Sequence, residues 1–85
     1  MSTKTAKLRA ALVSRGFAPV DHVSQRECLK GLSVQGSDIW IWLDKVGGAR
    51  YARSPRKGDA IAMSPTTVDL VIAGKPSKLI PGGTP

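Results

Sequence analysis

The residues best suited to chemistry lie in one stretch. Ile39-Trp40-Ile41-Trp42-Leu43 sets two indoles two positions apart, and the run from Lys45 to Gly58 holds five bases and no acid. Along an extended strand Ile39, Ile41 and Leu43 point one way and Trp40 and Trp42 the other. Flat rings beside guanidinium groups can stack bases and neutralise phosphates together. The candidate binding residues are therefore Lys45, Arg50, Tyr51, Arg53, Arg56 and Lys57, with Trp40 and Trp42 as candidate stacking residues. A second reading makes both tryptophans core, with one helix covering each face of the sheet. Arg50 and Arg53, three apart, face opposite sides of a regular strand, so one continuous positive surface requires the strand to twist, bulge or end near Ala52.

The loop Ser54-Pro55-Arg56-Lys57 resembles the Ser-Pro-basic-basic turns of histone-type tails, which lie in DNA minor grooves. There a proline stiffens the turn while two long cations fan out toward phosphates. The competing reading is a solvated turn on a basic protein. Catalytic groupings are poor. His22 has Asp21 and Ser24 close in sequence, but a triad needs groups adjacent in space. Cys28, between Arg26 and Lys30, reads either as a thiol of lowered pKa or as a small core residue. One cysteine and one histidine exclude a Cys/His zinc site. Gly47-Gly48 lacks the Lys-Ser/Thr and helix of a phosphate loop. No enzyme activity, metal or cofactor is expected.

The balance of 13 bases against 6 acids gives a formal charge of +7 over 85 residues. Such a field draws polyanions, nucleic acid first and an acidic protein surface next. The length allows one domain. Val, Ile, Leu and Phe number 20, above the level of roughly a fifth below which charged chains stay disordered. A core this small favours a homodimer over a monomer, joined through an apolar patch that includes Trp40 or Trp42. The lone cysteine suits a reducing, cytoplasmic setting. Met1–Leu12 has no apolar core of a secretory signal, and no apolar run approaches the roughly 20 residues of a membrane helix.

The elements that must position these residues read as α+β. A helix is expected over Lys4–Arg15, capped by Ser2 or Thr3, with Leu8, Ala11, Leu12 and Arg15 on one face. Gly16 takes the left-handed position after it, Phe17 makes the closing apolar contact, and Ala18-Pro19 leaves extended. Val20–Glu27 reads as a loop or single turn, although Ser24 and Glu27 match a capping box. Strands follow at Cys28–Val34, Ile39–Leu43 and Ala49–Arg53, joined by Gln35-Gly36-Ser37-Asp38 and Gly47-Gly48. This is an antiparallel meander of three strands, or four if Ala60–Met63 adds an edge. Ser64-Pro65 opens a short C-terminal helix that Gly74 ends, with a strand over Val68–Ala73 as the rival. Residues 1–74 form the domain and 75–85 a Pro/Gly-rich tail.

Helix, Gly16-Phe17 step, meander and helix together look like the layout of the HicA-type mRNA interferase toxins. That resemblance implies a double-stranded-RNA-binding-like fold. The family's Gly-Ser-His-His-type catalytic segment is absent, and His22 stands in a proline-led loop instead. Trp42 through Arg53, with Gly47-Gly48-Ala49-Arg50 at its centre, resembles small uncharacterised phage and plasmid proteins with a Gly-Ala-Arg hairpin, which implies a mobile-element origin. Three functions follow in order. The first is a small basic nucleic-acid-binding accessory protein that contacts phosphates, on DNA or RNA. The second is an inhibitor or adaptor, anti-CRISPR-like, that binds an acidic or nucleic-acid-binding protein of a host defence or transcription complex. The third is an interferase.

Overall fold

The structure, a computed structural model, describes residues 3–21 and 27–81. Helix α1 (Thr3–Ser14) buries Thr5, Leu8 and Leu12, a spacing of three and four that lines one helical face. Gly16 (φ 89°) ends it. The Gly16 N–H donates to the Val13 carbonyl (3.0 Å) and the Phe17 N–H to that of Leu12 (3.1 Å). These two bonds satisfy carbonyls that the helix end would leave unpaired, and they drop Phe17 into the core. Helix α2 (Pro65–Ile72) follows the same rules, so the rival strand does not form. The Ser64 hydroxyl accepts from the Thr67 N–H, Pro65 takes the first turn, and Gly74 (φ 79°) closes the end.

Five antiparallel strands lie in chain order: β1 (Ala18–Val20), β2 (Cys28–Leu32), β3 (Asp38–Leu43), β4 (Ala49–Ala52) and β5 (Ile61–Ala62). The α+β class is as expected, but the sheet has five strands rather than three or four. The added strand is β1, which pairs Ala18 with Lys30 and Val20 with Cys28. Three residues around a proline do not read as a strand. An edge strand nevertheless tolerates Pro19, because its outer side has no ladder to complete. β2 stops two residues short of Val34, since Ser33 to Ser37 close the hairpin: the Ser33 N–H donates to the Ser37 carbonyl (2.9 Å). The expected β3 is central, paired with β2 and β4.

Both helices pack on one face of the sheet, against Leu29, Ile39, Ile41, Leu43 and Ala49. This corrects the arrangement with one helix on each face. The opposite face has its own small cluster of Cys28, Trp42 and Ala52, with Val20, Trp40 and Ala60 packed around it. The segment expected as a tail is also corrected as far as Pro81. Ile80 is fully buried in the main core, and the Val34 N–H donates to the Leu79 carbonyl. Arg15 holds this segment to the end of α1 by donating to the carbonyls of Ala11 (2.8 Å) and Pro81 (2.9 Å). Ile80, Leu79 and these hydrogen bonds hold the chain against the domain after Gly74. His22, Arg26 and the Ser24 half of the expected capping box lie outside the described residues.

Gly31 shows how closely α1 and the sheet are joined. A Cβ there would stand 2.6 Å from the Phe17 ring, which is itself buried. Gly31→Ala is expected to cost about 1–3 kcal/mol, the usual penalty for overpacking a fixed core. The check is a urea denaturation in which the midpoint falls and the slope stays unchanged.

Candidate functional site

The β3–β4 hairpin is built by Asp44. Its Oδ1 accepts from the N–H groups of Val46 and Gly48, both at 2.8 Å, and its own N–H donates to the Gly48 carbonyl. Thr5 on α1 donates its hydroxyl to the Asp44 carbonyl (2.9 Å), and Gly47 (φ 89°) sits against the aliphatic stem of Lys4. The turn is thus fastened to the body of the domain, and exposed Lys45 rides on it. Neither Asp44 nor Thr5 stood out as a site-building residue in the sequence. The available signals were an Asp at the head of a Gly-Gly turn and a polar position in line with Leu8.

Arg50 projects from β4 on the Trp42 side of the sheet, and its side chain is exposed. Tyr51, the next residue, points the other way and packs against the main core beside Ile41. Arg50 and Tyr51 therefore do not share a surface. β4 ends at Ala52, the point where a continuous basic surface needed it to end, and exposed Arg53 follows. In the next loop the Arg56 N–H donates to the Ser54 hydroxyl (3.4 Å). The Asp59 N–H donates to the Arg56 carbonyl (3.0 Å) as the chain makes a short 3-10 turn over Lys57–Asp59. Arg56 is exposed at this turn. The Lys57 side chain lies outside the described atoms.

The tryptophans are not an open stacking platform. Trp42 is 2% exposed. Trp40 is half-buried, and the Lys30 ammonium stands 5.2 Å from its ring centroid. Lys30 is in turn paired with Asp38 (3.7 Å). Trp42 is therefore not available to an apolar patch joining two copies, whereas Trp40 is in part. Cys28 is buried, and desolvation pushes its thiol pKa up. That is the reverse of an activated nucleophile.

Three acids pair with bases outside the Lys45–Lys57 run: Asp69 with Lys4 (3.5 Å), Glu27 with Arg9, and Asp38 with Lys30. Among the described residues no ion pair reaches Lys45, Arg50, Arg53 or Arg56. The Arg9–Glu27 pair ties α1 to the start of β2, and its hydrogen bonds hold the Glu27 carboxyl below its ordinary pKa. A depressed carboxylate contributes stability that is complete above the unfolded value, near pH 4.3, and is lost as pH falls through the folded value. Glu27→Gln should flatten the fall in urea midpoint across that acid window and leave a lower, more even stability above it. No protein-family model, curated protein or solved structure matches the chain.

Proposed function

We propose that this is a nucleic-acid-binding accessory protein that grips the phosphate backbone with Lys45, Arg50, Arg53 and Arg56, and Lys57 beside them in sequence. The supporting observation is the distribution of ion pairs. Lys4, Arg9 and Lys30 are matched by carboxylates; the exposed cations of the hairpin and following loop are not, and among the described residues they form the densest run of such cations in the sequence, Lys7, Lys75 and Lys78 being the scattered others. Unmatched, exposed cations attract a polyanion without first breaking an internal pair, and their pull is long-ranged. The hydrogen-bonded turn at Asp44 and the loop at Ser54 carry two of them, Lys45 and Arg56. The role is binding rather than catalysis. Its setting is a reducing cytoplasm, within the life of a phage or other mobile element.

Co-purification of the tagged chain from lysate, with and without nuclease, tests this reading. Loss of the bound material after nuclease is the expected result. A defined protein partner that survives nuclease, held through Arg50 as an anchor, would replace it with the adaptor reading.

A further inference from the structure

We infer that the polyanion this surface takes is a duplex, not a single strand. The inference rests on the nucleic-acid reading above and adds the class of ligand. Single-strand binders combine a basic groove with aromatic faces on which successive bases stack. Among the described residues every Phe, Trp and Tyr ring is packed or partnered. Phe17 is in the main core and Tyr51 packs against it from the helical side of the sheet. Trp42 is the centre of the second cluster. Trp40 packs at the edge of that cluster with Lys30 over its ring, and Lys30 is held there by Asp38. The Lys30 ammonium competes with any base for the exposed part of the Trp40 ring.

Three of the cations are also carried by segments whose backbone is hydrogen-bonded to the rest of the fold or within its own turn. Lys45 sits in a turn closed by Asp44 and tied to α1 through Thr5. Arg50 projects from a strand paired on both sides. Arg56 lies in a loop closed at both ends by hydrogen bonds. Charges carried this way, with no unpartnered ring, suit a regular backbone whose bases are stacked on each other. They give a flexible strand charge neutralisation alone.

The test uses the full chain and fluorescence anisotropy with four labelled probes: a short mixed-sequence DNA duplex, an RNA duplex of the same sequence, and one unpaired strand of each. The expected result is duplex binding about tenfold or more tighter than binding of the matching strand at equal salt, with the tighter of the two duplexes identifying the source. Tryptophan emission should be unquenched by the single strands. A single strand bound as tightly as its duplex, or strong indole quenching by it, overturns the duplex inference and leaves the nucleic-acid reading standing. Binding to none of the four overturns both.

Discussion

Truncating Leu12 to alanine is expected to lower the unfolding free energy by about 2–5 kcal/mol. Leu12 is fully buried on α1, in one cluster with Leu8, Phe17, Ile39 and Ile41. Its carbonyl also accepts the Phe17 N–H that closes the helix. The substitution leaves that backbone bond intact, so the loss measures packing. Natural domains are stable by only about 5–15 kcal/mol, so this one cavity removes a large share of the total. The neighbouring position supplies the control. Val13 is half exposed, and Val13→Ala should stay within about 0.5 kcal/mol. Urea denaturation of the two variants decides the matter, and equal small losses would mean that α1 does not pack on the sheet as described.

The same helix shows what is legible in a sequence of this size. The three-and-four spacing of Leu8 and Leu12, Gly16 after the last turn, and Ser64-Pro65 with Gly74 around α2 are local signals set by backbone geometry, and each stands where expected. The central strand was legible from the alternation of Ile39, Trp40, Ile41, Trp42 and Leu43. What covers each face was not, because alternation assigns sides and says nothing of what packs on them. Both helices chose the isoleucine side, and Trp42 made a second cluster from small residues, Cys28 and Ala52, that carry little signal of their own. β1 was hidden by its proline, and the return of Ile80 by the Pro/Gly composition around it. At the candidate site the bare charges were visible, as was the need for β4 to end near Ala52. The ion pairs were not. Lys30 lies opposite Trp40, and Asp38 opposite Leu32, only once the β2–β3 register is known. Tyr51 could have been placed correctly, since a residue next to Arg50 in a strand must face the other way.

The largest expected effect on binding comes from removing four cations of the hairpin and its loop together. In Lys45→Ala/Arg50→Ala/Arg53→Ala/Arg56→Ala, four exposed side chains go, and none has an ion pair among the described residues. Surface changes of this kind shift stability by within about 0.5 kcal/mol each, so the variant should fold. Each phosphate contact contributes about 0.9 to the dependence of log K on log salt for duplex DNA, so the slope should become shallower by about 3.6. The loss should fall evenly on unrelated sequences, because phosphates carry no sequence information. Binding to a protein would behave differently, with the loss concentrated at one or two anchors and a weaker salt dependence.

The most direct measurement is therefore the salt dependence of binding to a mixed-sequence DNA duplex, made side by side on the natural chain and the four-alanine variant. A steep line for the natural chain, and a line for the variant that is both lower and shallower by about 3.6, is the predicted result. Two lines that coincide in height and slope would contradict it, and would make the hairpin and its loop a solvated face with no part in binding.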